Sequence, residues 1–425
     1  MLTSLKNRLV SALAKRHIRK HGIDLASIGA IPDDAKAALT RDGVDTKPEM
    51  AQFRREGPLH RIDMPFNFNA YLVTGHSEAR EILTAKGDVY SNDIRHLFSG
   101  QGPATKEDVG GLGFTDPPKH THLRKIVTPE FTMRRLARLE PMIRDIVAVQ
   151  VAELAASSSP DLARDLAFPV PFNTICALLG IDNEDRERFA QLGTARFDAT
   201  NGAAGAFGAV SAQREFIHEC VVKQRVEPGP GLLGQIIRDV GDDIDDWELT
   251  GLADGIFTGG YETTAGMIAL GTIVLLRDRR YVEMVTSGDK EQLDAVIEEL
   301  LRYLSVVQVA FPRFAKEDME LFGHQIKAGD VLLSSLVAAN RDPAVMGEDP
   351  DSFNPLRVPE SGHLAFGHGF HRCIGAELAR MELRIALPAI FENFPNLALA
   401  VDESDLDFRQ MSFVFGVDTV PVTLN

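Results

Sequence analysis

Phe366-Gly367-His368-Gly369-Phe370-His371-Arg372-Cys373-Ile374-Gly375 is the stretch on which the reading of this chain turns. It sets one thiol in a Gly-rich turn, directly ahead of a run, Ile374 to Leu387, whose apolar spacing predicts a helix. A cysteine at a helix N-terminus meets unsatisfied amide N–H groups and the positive end of the backbone dipole. Its thiolate is therefore favoured and can ligate a metal. Gly369 and Gly375 allow close backbone approach on either side of the sulfur, Phe366 offers a shield, and His371 is a donor two residues upstream. A buried structural cysteine, the usual fate of a lone thiol, would need none of these companions. Zinc held by His368, His371 and Cys373 is a weaker alternative, because no second ligand pair with finger-like spacing occurs elsewhere.

With 425 residues, 44% of them hydrophobic, the chain can bury a large core. Length alone suggests two or three domains, but no internal repeat or low-complexity linker divides the sequence. The expectation is one domain over residues 1–425, with a basic N-terminal extension at 1–25. In that extension Lys6, Arg8, Lys15, Arg16, Arg19 and Lys20 precede the first acid, Asp24, while Leu5, Leu9 and Leu13 recur at helical spacing. The apolar stripe is short, which favours a solvated helix over attachment to a membrane surface. Cys176, Cys220 and Cys373 make no disulfide framework and no apolar leader opens the chain, so a cytoplasmic location is expected. The longest apolar run, Gly266 to Leu276, falls short of the ~20 residues that span a bilayer. A net charge of -16 weighs against nucleic-acid binding.

Segments of 3.6-residue period dominate, as in Met142–Ala155, Trp247–Leu276 and Glu291–Tyr303. Strand-like pieces are few: Tyr71–Val73, Gln325–Lys327, Val331–Leu333 and Val420–Leu424. The fold class expected is mainly α with small β-sheet regions. Gly229-Pro230-Gly231-Leu232-Leu233-Gly234 formally matches a dinucleotide fingerprint, but no strand precedes it and Pro230 lacks an amide donor. It reads as a loop entering a helix. Within Trp247–Leu276, Gly259 and Gly260 sit side by side, each costing ~1 kcal/mol relative to alanine, ahead of Tyr261-Glu262-Thr263-Thr264. Taken alone, such glycines let a neighbouring helix approach, and Thr263 bonds back to the carbonyl four residues earlier. Glu299 and Arg302 at i,i+3 are by themselves an ordinary pair worth ~0.2–0.5 kcal/mol.

Taken together, these segments resemble the cytochromes P450, from roughly Asp116 to Val422. Phe366, Gly369, His371, Cys373 and Gly375 match the haem-binding signature of that family. The resemblance implies the cytochrome P450 fold and haem b, with Cys373 as axial thiolate to the iron. It also implies that Gly259 and Gly260 leave a notch over the iron for dioxygen, that Thr263 guides proton delivery and that Glu262 relays protons from solvent. Glu299 and Arg302 match the family's Glu-x-x-Arg motif, with Arg357 as third member of a charged structural triad. His120, Arg124, Arg313 and His371 match positions that bind the haem propionates. One departure is Tyr261, where many bacterial relatives carry histidine.

The implied activity is that of a haem-thiolate monooxygenase, inserting one oxygen atom from O2 into a hydrophobic small organic substrate. Electrons would come from NAD(P)H through a ferredoxin and its reductase. Lys125, Arg134, Arg135, Arg372, Arg380 and Arg384 would form a proximal basic patch suited to an acidic ferredoxin. Candidate substrate-pocket walls are Ile256, Met267, Val306, Val307, Val309, Phe311, Phe413 and Phe415, although such residues at such spacing equally build a core. A peroxide-driven peroxygenase is the rival enzyme reading, disfavoured by the intact acid-threonine pair. A haem carrier or sensor without turnover is the rival outside enzymes.

Overall fold

The computed structural model describes residues 36–64, 68–85, 87–93, 111–197 and 202–425; the basic segment at 1–25 lies outside these. Helices make up most of the described chain, and one of them organises the rest. Asp246–Leu276 starts at Asp245, whose side chain accepts a hydrogen bond from the Glu248 amide at 2.8 Å. Asp246 and Glu248 place negative charge at the positive end of the helix dipole. By length and composition it could cross a membrane, but it is a core helix, buried along most of its run from Leu249 to Leu275.

Small residues decide what packs on it. A Cβ at Gly260 would lie 2.8 Å from Cδ1 of Ile175, on the helix Pro169–Leu179. A Cβ at Gly271 would meet Leu300 at 3.4 Å and Leu387 at 3.9 Å. Those two leucines belong to the helices Lys290–Leu304 and Ala376–Asn393, which carry the Glu-x-x-Arg motif and follow the cysteine loop. Each buried leucine or isoleucine in this assembly contributes about 1.5–3 kcal/mol.

Lys290–Leu304 begins at Asp289, which accepts from the amides of Glu291 and Gln292, and ends at Ser305 in the left-handed region. Two buried arginines from distant segments neutralise its C-terminus. Arg41 donates to the Leu304 and Ser305 carbonyls at 2.6 and 3.2 Å, and Arg341 to the Tyr303 carbonyl at 2.6 Å.

The cysteine helix starts at Ala376, two residues later than its sequence pattern predicts, because Ile374 and Gly375 are spent on the turn that presents the thiol. It also runs through Pro388 to Asn393. Burial of Leu387, Ile390 and Phe391 compensates for the single amide that the proline removes.

A five-stranded sheet stands beside the helices in the order Leu59–Met64, Phe68–Val73, Val331–Ser334, Arg313–Ala315 and Tyr90–Ser91. All neighbours are antiparallel except Phe68–Val73 with Val331–Ser334, which run parallel with Val73 opposite Ser334. The predicted strands Tyr71–Val73 and Val331–Leu333 fall within observed strands and Gln325–Lys327 is observed one residue earlier, at His324–Ile326, whereas Val420–Leu424 shrinks to Val422–Thr423, paired with Ala398–Leu399.

Candidate active site

The cysteine loop is folded on itself by three backbone bonds. Cys373 N–H donates to the Phe366 carbonyl at 2.8 Å, Gly367 N–H to Leu364 at 2.8 Å, and Arg372 N–H to Gly369 at 3.1 Å. Gly369 is obligatory twice over. Its φ is +68°, and a Cβ there would lie 2.4 Å from the Leu83 carbonyl oxygen at the end of the helix His76–Thr84. Cys373 is exposed, while Cys176 and Cys220 are buried and their thiols pushed up to about 12, chiefly by burial. Although its surface is open, the Cys373 sulfur lies deep in the molecule, and loss of water raises its pKa. The Gly375 N–H and the Arg124, Arg372 and Arg380 guanidiniums pull the other way, toward thiolate.

Near this loop the fold gathers His120, Arg124, Arg313 and His371. His120 and Arg124 share a face of the helix Lys119–Val127, and the His120 and His371 rings lie 4.2 Å apart. Arg313 is buried at the start of its strand and spends one N–H on the Phe311 carbonyl at 3.0 Å. His120 Nε2, His371 Nε2 and Arg313 Nε are buried and have no hydrogen-bond partner. Burial, then the neighbouring cations, lowers His120 to about 4 and His371 to about 2; burial lowers Arg313 to about 10 against the pull of Asp116. Unpartnered buried nitrogens on His120, His371 and Arg313, with the Arg124 guanidinium beside them, leave hydrogen-bonding capacity that an anion can take up.

On the central helix the two glycines part company. Nothing lies within 4 Å of a Cβ placed on Gly259, so that position opens a real notch, whereas Gly260 is occupied by its packing on Ile175. The predicted two-glycine notch is thus a one-glycine notch. Thr263 shares the Gly259 face one turn on, and its hydroxyl donates to the Gly259 carbonyl at 2.7 Å. Glu262 is buried and ion-paired with Arg409, whose guanidinium also donates to Asp418 at 2.6 Å. Sequence reasoning missed Arg409, which lies 147 residues away with no motif to mark it. Tyr261 packs among Phe168, Phe172 and Phe257, and burial, then the Glu262 carboxylate, pushes its phenol up to about 12.

Comparison with known proteins identifies the family. The family model described as Cytochrome P450 matches residues 232–422. Cytochrome P450 165C4 of Amycolatopsis orientalis is 40% identical over 414 residues, covering 95% of this chain and 100% of the relative. The chain is a cytochrome P450. Cytochrome P450 monooxygenase PikC of Streptomyces venezuelae is 36% identical over 394 residues, covering 91% of this chain and 92% of the relative. Among solved structures, OxyC, "a Cytochrome P450 Implicated in an Oxidative C-C Coupling Reaction During Vancomycin Biosynthesis", superposes with a TM-score of 0.80 at 35% identity. That match covers 90% of this chain and 95% of OxyC.

The fold of this P450 monooxygenase brings its charged triad together. Arg302 donates to both Glu299 carboxylate oxygens, at 2.6 and 2.8 Å, and Arg357 Nε stands 3.5 Å from Glu299. Arg302 also donates to the carbonyls of Asn340, Pro350 and Ser352, and Arg357 to those of Met346, Glu348, Asp349 and Ser352. Asn340, missed by sequence reasoning, is fully buried and accepts the Leu364 amide at 2.6 Å, which ties this network to the cysteine loop. A second strut runs from Glu298 to Arg380 and His363, with the Arg380 guanidinium 4.7 Å above the Phe366 ring. Burial works to raise Glu298, but Arg380 and His363 outweigh it and hold the carboxyl at about 2.

Two expectations need correcting. Arg135, Arg380 and Arg384 are paired with Glu130, Glu298 and Asp294, so the proximal patch reduces to Lys125, Arg134 and Arg372, exposed and without an ion-pair partner among the described residues. Of the pocket-wall candidates, Met267, Val306, Val309 and Phe415 are buried in core clusters, Phe415 stacked on Phe408 beneath Arg41. Phe311 and Phe413 are about half exposed, and Ile256 and Val307 partly buried, which leaves these four available to a ligand.

Proposed function

We propose that the Cys373 thiolate would ligate the iron of a haem b, and that His120, Arg124, Arg313 and His371 would hold its carboxylates. On this reading the enzyme inserts one oxygen atom from O2 into a hydrophobic small organic substrate. The cluster of orphaned polar nitrogens beside an open thiol carries it. Leaving three buried polar atoms unpaired costs about 1–3 kcal/mol each, a cost that an anionic cofactor removes. Haem, when bound, supplies the activation of dioxygen and the transfer of the oxygen atom.

The chain's own residues do the rest. Gly375 N–H and three guanidiniums favour the thiolate, while the Glu299–Arg302–Arg357 triad and Asn340 hold the segment leading to it. Gly259 and Thr263 put an open notch and a rotatable hydroxyl on one helix face, and Glu262 beside them is the carboxyl that brings protons. Lys125, Arg134 and Arg372 suit an acidic ferredoxin-type donor, itself reduced from NAD(P)H. The test is the spectrum of the reduced, carbon-monoxide-bound protein. A band far to the red, lost in Cys373→His, supports thiolate ligation; a histidine-type band in the unaltered protein refutes it.

Oxidative coupling is a second reading, favoured by the likeness to OxyC and by the aromatic rim at Phe311, which meets Phe114 edge-on at 4.7 Å. Product mass separates the two. Hydroxylation adds one oxygen atom, and coupling removes two hydrogens.

A further inference from the structure

Three guanidiniums act on the Cys373 sulfur, and they differ in what surrounds them. Arg124 and Arg372 have no ion-pair partner among the described residues, whereas Arg380 is gripped by two carboxylates. Its Nε and Nη2 donate to the two oxygens of Glu298 at 2.6 and 2.8 Å, and its Nη1 donates to Glu377 Oε1 at 2.8 Å. Glu298 holds a second group. His363 Nδ1 accepts the Ala365 N–H at 3.2 Å, so Nε2 carries the ring proton and donates to Glu298 at 3.1 Å. These two partners bracket Phe366. The Arg380 guanidinium carbon lies 4.7 Å from its ring centroid and the His363 ring 6.0 Å away, while the Phe366 carbonyl accepts the Cys373 N–H at 2.8 Å.

We propose that Glu298 is a positioning residue that tunes electron donation from Cys373 to its metal, by fixing Arg380 over Phe366 and cancelling part of that cation's charge at the sulfur. This rests on the reading of Cys373 as thiolate ligand to a haem iron. Among the described residues the Arg380 side chain donates only to carboxylates, so its influence on the sulfur runs through its field. An unscreened cation beside a thiolate draws electron density back onto sulfur and stabilises the more negative, reduced centre. The Arg380 side chain is 12% exposed, which leaves the two acids, more than water, to screen it. Opposite signs follow for the two partners. Removing the anion of Glu298 makes reduction easier, and removing the cation of Arg380 makes it harder. A merely structural role would move both variants the same way, because either one loosens the same loop.

The test measures the reduction potential of the haem-loaded protein by spectroelectrochemistry, without substrate or protein electron donor, in Glu298→Gln, Arg380→Gln and Arg380→Lys. In Glu298→Gln reduction is favoured about threefold, or about 28 mV upward, a modest shift because the Glu298 side chain is 43% exposed. In Arg380→Gln reduction is disfavoured about tenfold, or about 59 mV downward. Arg380→Lys keeps the cation and recovers most of that loss. The iron–sulfur stretch in resonance Raman spectra falls in Glu298→Gln and rises in Arg380→Gln. Shifts of the same sign overturn the inference, as does an unmoved potential in Glu298→Gln, which with Arg380→Lys carries the test should Arg380→Gln fail to fold. The reduced, carbon-monoxide-bound spectrum of the unaltered protein separates the two readings. A histidine-type band there overturns thiolate ligation and this inference with it, whereas a far-red band with same-sign shifts overturns the tuning alone.

Discussion

Glu298 and Glu299 are adjacent in one helix yet occupy opposite electrostatic situations, which makes Glu299→Gln a controlled experiment on the charged triad. The Glu299 side chain is 6% exposed and its partner Arg302 2%, whereas the Glu298 side chain is 43% exposed. Glutamine fits the volume of Glu299 but keeps one acceptor oxygen where two accept from Arg302 and one of these also takes the Asn354 amide at 2.7 Å. Removing one partner of a buried pair costs ~3–5 kcal/mol, and three backbone carbonyls continue to solvate Arg302, so about 3 kcal/mol is expected. That is a factor of roughly 10² in the folded-to-unfolded ratio. Glu298→Gln, screened by solvent, should cost at most about 1 kcal/mol. Urea unfolding followed by far-ultraviolet dichroism, together with the haem content of purified protein, measures both. Because the triad holds the segment before the cysteine loop, haem content should fall along with stability in Glu299→Gln only. A Glu299→Gln protein that unfolds at the unaltered midpoint with full haem content would refute the reasoning.

Two further outcomes follow from single side chains. Glu382 is buried with Oε2 unpartnered, and burial pushes its carboxyl up to about 8 from an ordinary 4.5. The folded chain therefore keeps a proton that the unfolded chain loses between those values, and stability falls as pH rises from 4.5 to 8, by on the order of 4 kcal/mol. Glu382→Gln should flatten that dependence and raise stability above pH 7; an unchanged slope in thermal unfolding across the window contradicts this. Alanine at the paired glycines should act in opposite directions. Gly259→Ala meets open space and stabilises the helix by about 1 kcal/mol, while Gly260→Ala collides with Ile175 and costs about 1–3 kcal/mol. Equal shifts in the two unfolding midpoints would remove the distinction.

Much of this protein is written in local pattern. The long helices follow from 3.6-residue periodicity, and the cysteine turn from glycines whose need for space or positive φ survives at Gly369. Glu299 and Arg302 are three residues apart, so their meeting follows from helix geometry alone. The boundaries were less legible. The predicted run ends at Leu387, yet tertiary burial carries the helix through Pro388 to Asn393.

What the sequence determined by itself is the family, the cysteine loop and the short-range pairs, because each is encoded within a turn or two of helix or one loop. The tertiary structure alone decided what distant segments share. It joined Arg409 to Glu262, brought Arg41 and Arg341 to one helix end, and buried the Arg313 and His120 donors without partners. It also assigned Gly260 to packing and Gly259 to open space. Side-chain periodicity fixes which face a residue occupies; only the closing of the chain, over more than a hundred residues in the case of Arg409, fixes what that face meets.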